Sequence, residues 1–330
     1  MDNLCHTLVG AALGEAGLKR TTPLAMATLL VGANLPDIDA VTYVFADAPT
    51  SFAFRRGWTH GALAMAVLPL ALAGAMTAWD RCVRRRRRPG KSPARFSALL
   101  LLAFVSVLSH PVLDFLNTYG VRFLYPFSRR WFYGDALFII DPWVWIALTL
   151  GVASSLVRAR RRHPRPESPA RAALAATVAY AGAMLVSSAV GRGLVVRAAG
   201  TAGLSPGRAI VSPEARNPLR RTVSLEVSGG YRLGTLRWLS RPAVSLAPLL
   251  IARNDRDPLA LAAARTRDGK KFLVWARFPY FVVRREETGA VVTIRDARYP
   301  GEFGSWALVR VKLSAGAGRM LESGLLRSSP

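Results

Sequence analysis

The 330-residue chain has only two cysteines, Cys5 and Cys82, and four histidines. Two thiols are too few for a disulfide framework, and neither has the spacing of a zinc motif, so any metal chemistry must use imidazole and carboxylate. Lysine is scarce as well, at five of the 45 basic residues, against 20 acidic ones. A formal charge of +25 ordinarily points to nucleic acid or anionic lipid. Because the excess is almost all arginine, it reads here as compositional bias, and no nucleic-acid partner is expected. The amino terminus, MDNLCHTLVG, lacks a basic leader, so no cleavable signal peptide is expected. Residues 192–330 contain neither histidine nor cysteine, which excludes Ser-His-Asp and Cys-His chemistry from that part.

What the chain does have is hydrocarbon: 51% of it is hydrophobic. Five stretches, 22–45, 59–79, 96–116, 136–156 and 171–190, approach the ~20 apolar residues a helical span needs. A shorter one, 4–18, suits a re-entrant helix. Loop 81–95 carries eight basic residues and loop 157–171 six, whereas loops 46–58 and 117–135 carry two and three. The positive-inside rule then puts the first pair in the cytoplasm, and the second pair and everything after 191 outside it. From about 219 the pattern changes to alternating segments, TVSLEVS, KFLVWARF, AVVTIRD and WALVRVKL, bounded by Gly, Pro and Asp, as in half-buried strands. The expected fold is an all-α polytopic membrane bundle of five spans plus the re-entrant helix, with a small soluble β-rich domain at the carboxyl end. The expected divisions are 1–191 membrane-embedded, 192–218 linker, 219–318 β-rich and 319–330 disordered. With 24 basic and 10 acidic residues, 192–330 is suited to touching lipid head groups.

Polar residues in the apolar half fall at one level. Asn34, Asp37 and Asp39 lie late in an outward span, His60 begins an inward one, His110 and Asp114 end an outward one, and Asp141 opens the next. His6 reaches the same level if its short helix runs inward. An intramembrane carboxylate costs about 2.5–3.5 kcal/mol on insertion scales, so such a cluster calls for a compensating cation. His110 and Asp114, four apart, share a helical face, and Pro36 lets Asp37 and Asp39 project at different angles. The candidate ligands are His6, Asp37, Asp39, His60, His110, Asp114 and Asp141. Imidazole with carboxylate favours zinc, with manganese or iron as alternatives, and the donors suffice for one to three ions. Asp141 precedes Pro142 and equally suits an N-cap, Asp135 suits a turn, and His163 suits a solvated loop.

The set DNLCHTLVG, LPDID, RRGWTHG, SHPVLDFLNTYGVRFLYPFSRRW and IIDPW resembles the YdjM-like membrane-bound metal-dependent hydrolases of bacteria over residues 1 to about 145. The resemblance implies an all-helical enzyme of the bacterial inner membrane, distantly similar to zinc-dependent phospholipase C. In that class an H-x-x-x-D pair holds zinc, here His110 and Asp114; the aspartates fall on Asp37 and Asp39, and further histidines on His60 and His6. The chain departs from some members at Ala40, where they carry a histidine.

The expected function is hydrolysis of a phosphoester or related ester of a lipid-like, anionic substrate by a metal-activated water, with Asp37 and His60 taking part in the chemistry. Arg55, Arg56, Arg129 and Arg130 are candidate head-group contacts and Asn117 a substrate-positioning residue. Membrane lipids are the other expected partners, and the sequence names no protein partner. Two rival classes are a proton or metal-ion transporter, which would need polar residues deep in the spans, and an envelope assembly or binding protein with a structural metal.

Overall fold

Pro36 decides where the first expected span stops. In the computed structural model, described for residues 1–300, 304 and 306–314, helix α2 (Ala25–Asn34) ends two residues before that proline and the chain tightens into a 3₁₀ segment, Leu35–Val41. Proline has no N–H to continue the ladder and disfavours helical backbone in the residue before it. One further turn, α3 (Thr42–Phe45), and a short helix, α4 (Ala48–Phe54), follow. Residues 22–45 are therefore a series of short pieces, and α2 at 10 residues is ~15 Å long.

Among the described residues, four helices are long and apolar enough to cross a membrane. The first is α5 (Ala62–Trp79), which continues through a π-helical turn, Asp80–Arg84, into α6 (Arg85–Arg87). The others are α7 (Phe96–Phe115), α8 (Pro142–Arg160) and α9 (Ser168–Thr201). The re-entrant candidate is α1 (Asn3–Glu15), capped by Asp2, whose carboxylate accepts from the amides of Leu4 and Cys5.

The chain divides into two compact units, one of residues 1–39, 56–188 and 213–218, the other of 40–55, 189–212 and 219 onward. In the first, α2 packs on α1 and α7, α7 on α5, and α8 on α1. Leu29 of α2 meets Leu102 of α7, while Met65 and Leu72 of α5 meet Ala103 and Val107. Small residues permit these approaches: a Cβ on Gly32 would lie 2.1 Å from the Ser106 hydroxyl.

Among its described residues the second unit holds two antiparallel sheets. Strands β1 (Ala209–Pro213), β2 (Arg220–Val227), β3 (Gly230–Arg237) and β4 (Val244–Ala252) are neighbours in that order, and β5 (Pro279–Glu286), β6 (Gly289–Asp296) and β7 (Leu308–Ser314) form the second meander. Register is set by tight turns, with Val227 opposite Gly230 and Gly229 at φ 79°. In the chain, α10 (Pro258–Arg265) and α11 (Arg267–Leu273) come between β4 and β5, and α10 packs on the second sheet. KFLVWARF, read from its alternation as a strand, thus begins in a helix. Thr266 caps α11 through the Gly269 amide, and Phe272 and Trp275 are both buried. The stretch read as a linker, 192–218, holds the end of α9 and strand β1; Val195 and Ala199 of α9 pack with Val211, Val223 and Leu236. The stretch 319–330 lies outside the described residues.

Candidate metal centre

Four buried side chains, Asp37, His60, His110 and Asp114, each offer one donor atom within 4.8 Å of the other three. Asp37 rides on the 3₁₀ segment, His60 on the turn before α5, and His110 and Asp114 on successive turns of α7. Asp114 Oδ2 lies 3.2 Å from His60 Nε2 and 3.6 Å from His110 Nε2, which is 3.7 Å from Asp37 Oδ1. For bonds of 2.0–2.1 Å to a tetrahedral zinc, neighbouring donors would stand about 3.3 Å apart. The closest of these separations are near that value.

Hydrogen bonding decides where the imidazole protons sit. His110 Nδ1 faces the Ala33 carbonyl at 2.7 Å, and a carbonyl only accepts, so Nδ1 carries a proton, and in the neutral ring Nε2 carries the lone pair. Thr59 donates its hydroxyl proton to Asp39 Oδ2 at 3.0 Å, which leaves it an acceptor for His60 Nδ1 at 2.9 Å. In the neutral ring Nε2 of His60 then also presents a lone pair. His60 Nε2, His110 Nε2 and Asp114 Oδ2 are buried and have no hydrogen-bond partner. Three buried lone pairs converging in this way cost free energy unless a cation joins them. Nitrogen and oxygen donors in this set fit a divalent ion of the zinc type.

A ring of polar groups fixes the donors from behind, as outer partners of metal ligands do. Arg56 Nη2 donates to Asp114 Oδ1 at 2.9 Å and Nη1 to Asn117 Oδ1 at 2.9 Å, with the guanidinium over the Tyr119 ring. The Met1 amino group also contacts Asp114 Oδ1. Asp39 accepts from the Arg56 amide as well as from Thr59. Beside the cluster, Asn3, Thr7, Leu30, Val31, Asn34, Leu35, Asp37 and Ile38 line a groove of about 590 Å³. Asp37 is thus the donor that reaches it.

The remaining sequence candidates take other places. Asp39 stands behind His60, outside the four-donor group. His6 stacks on His110 with ring centroids 3.7 Å apart and has Nε2 3.5 Å from Asp114 Oδ1. Asp141 is the N-cap of α8, accepting from the amides of Trp143 and Val144 and from the Tyr180 hydroxyl. Arg55 turns to Tyr43, bonding its hydroxyl at 2.6 Å. Arg129 and Arg130 are exposed, the latter over Phe132. Asn117 orients Arg56 and accepts from the Tyr119 amide.

Sequence reasoning passed over Thr59 and Arg122. Arg122 is buried between the Tyr125 and Trp131 rings, and its amide donates to the Arg56 carbonyl. Gly57 makes room for it, since a Cβ there would lie 2.6 Å from the guanidinium. An arginine in an aromatic-rich stretch was the available signal for Arg122; a threonine beside a histidine gives almost none.

Comparison with known proteins places these residues in a lineage. The chain is 26% identical over 163 residues to the "Uncharacterized protein YfhP" of Bacillus subtilis (strain 168), an alignment covering 46% of each chain. The chain thus matches about half the length of that curated relative. No solved structure matches it significantly. Residues 1–191, which carry all four donors, match the model described as YdjM inner membrane protein, and the chain belongs to that family of membrane-embedded proteins.

Proposed function

We propose that the chain is a metal-dependent hydrolase acting on a phosphoester or related ester of a lipid-like substrate. The observation that carries this reading is the convergence of unpartnered His60 Nε2, His110 Nε2 and Asp114 Oδ2 beside Asp37. A divalent ion, favoured as zinc, would be held by Asp37, His60, His110 and Asp114 and would supply Lewis acidity toward an ester oxygen and a nucleophilic water near neutral pH. The protein groups around it have separate tasks. Thr59 and Asp39 keep the His60 proton on Nδ1, and Arg56 with Asn117 holds Asp114 with Oδ2 toward the cluster. Asp37, which lines the groove, is the carboxylate set to take a proton from the attacking water. The groove's apolar side chains, Leu30, Val31, Leu35 and Ile38, suit the hydrocarbon part of a lipid-like molecule.

An extracytoplasmic site is supported by the distribution of arginine and by the packing of α4 within the same unit as the β-rich sheets, since loop 46–58 and the carboxyl-terminal part then share one side. The test is elemental analysis of detergent-purified protein beside His110→Ala and Asp114→Ala, followed by a phosphoester screen of the metal-loaded forms. Wild type is expected to carry about one equivalent of a transition metal and both variants much less. Equal metal content in all three proteins sinks the reading.

A further inference from the structure

Residues 40–55 pack with the second unit although their chain neighbours on both sides, Asp39 and Arg56, belong to the first. Helix α4 is the part that is held. Phe52 is buried in an aromatic cluster, stacked on Trp275 with centroids 4.9 Å apart and edge-on to Phe272 at 5.5 Å. Lys271 of α11 bonds the Thr50 hydroxyl and lies 3.8 Å from the Asp47 carboxylate, which caps α4 through the Thr50 amide. At the root of the same segment the Arg56 amide donates to Asp39 Oδ2 at 2.8 Å, so the intervening residues form a loop closed at its base.

Both base residues act on the cluster. Asp39 fixes the proton of His60 through Thr59, and Arg56 pairs with Asp114. Arg56 stands at φ 53°, in the left-handed region, where a residue with a side chain remains only when its surroundings hold it. A grip on the far end of the loop is such a constraint.

We infer that the carboxyl-terminal unit is a positioning element for the His-Asp cluster: by gripping α4 it keeps the loop closed at Asp39 and Arg56, and so keeps His60 and Asp114 aimed at one point. Chain continuity alone provides the coupling, because residue 40 follows Asp39 and residue 55 precedes Arg56. Phe52 and Lys271 are the positioning residues. The family match stops at residue 191, so this role belongs to a part of the chain outside the matched region. The link to metal binding rests on the reading proposed above; the closure of the loop does not.

The experiment uses the full chain in detergent as wild type, Phe52→Ala, Phe52→Leu and Lys271→Met. Hydrogen exchange is read at the peptide containing the Arg56 amide, with β2 and β3 peptides reporting the fold, and Co²⁺ is titrated by its visible spectrum. Phe52→Ala is expected to speed exchange at Arg56 and weaken Co²⁺ binding, each about tenfold, with unchanged strand exchange. Phe52→Leu should restore most of both, and Lys271→Met should move both the same way by a smaller factor. Unchanged Arg56 exchange in Phe52→Ala and Lys271→Met overturns the inference, as does faster exchange with unchanged Co²⁺ affinity. If the strands of Phe52→Ala also open, Lys271→Met decides by the same two readouts. Failure of wild type to bind Co²⁺ counts against the metal reading, and the Arg56 exchange then decides the positioning role alone.

Discussion

His60 Nε2 lies 3.2 Å from Asp114 Oδ2, and neither atom has a hydrogen-bond partner. The imidazole proton is committed to Thr59 on the other side of the ring, while Asp114 is paired with the Arg56 cation through its second oxygen. With the ring neutral, two lone pairs face each other in a buried place and repel. A divalent cation between them would turn the same geometry into an attraction, with His110 and Asp37 able to complete its shell.

Thr59→Val should weaken metal binding by about 10–100-fold, the usual effect of removing an outer partner of a ligand. It also leaves Asp39 short of a donor and His60 Nδ1 short of an acceptor, at about 1–3 kcal/mol for an orphaned buried group. Thr59→Ser keeps the hydroxyl and should stay close to wild type. Competition with a chelator measures the affinities, and equal values for the valine and serine variants would refute the assigned proton direction.

Arg56→Met removes the cation from a pair with both side chains buried. Breaking such a pair costs about 3–5 kcal/mol because the remaining charge is stranded. Arg56→Lys preserves the charge but cannot fork between Asp114 and Asn117, so its loss should be intermediate. Thermal melts in detergent order the three proteins; a methionine variant as stable as wild type contradicts the pairing.

Gly32→Ala brings a methyl group to 2.1 Å from Ser106 Oγ and 3.0 Å from its Cβ, forcing α2 away from α7. Overpacking of this kind costs about 1–3 kcal/mol. Gly74→Ala, with nothing within 4 Å, is the matched control and should be neutral or stabilising. Similar melting temperatures for the two variants would mean that the helices do not meet at Gly32.

Asp296 sets a pH dependence in the β-rich unit. Burial pushes its carboxyl up, but the charge and hydrogen bonds of Arg298 outweigh burial and hold it below the usual carboxylate range. Its contribution is therefore present above the unfolded value of about 3.9 and is lost as pH falls toward the folded one. Exchange of the β6 peptide should accelerate in wild type below about pH 4. Asp296→Asn should already exchange faster at pH 7 and show a flatter profile; parallel profiles would remove Asp296 as the cause.

The i, i+4 spacing of His110 and Asp114 shows in the sequence because helical periodicity is local, whereas the nearness of Asp37 and His60 to that pair comes from packing, since the stretch 22–45 on which the span count placed Asp37 is broken into short pieces. The long apolar helices are legible for the same local reason. The break after Asn34 is less so: hydropathy continues through 45, while the backbone obeys Pro36. Which aspartate faces the donors and which stands behind them depends on a 3₁₀ turn whose residues point in directions spacing alone does not give. Least visible is the attachment of Phe52 to Trp275, a contact spanning over 200 positions that no local pattern announces.

The early stop of α2 has one more chemical result. An α-helix leaves its last four carbonyls without the donor that another turn would bring. Ala33 is among those residues in α2, and its oxygen faces His110 Nδ1. An unfinished piece of backbone thereby selects the tautomer of an imidazole on a neighbouring helix. Basicity at the far nitrogen is written into the place where the peptide spiral runs out.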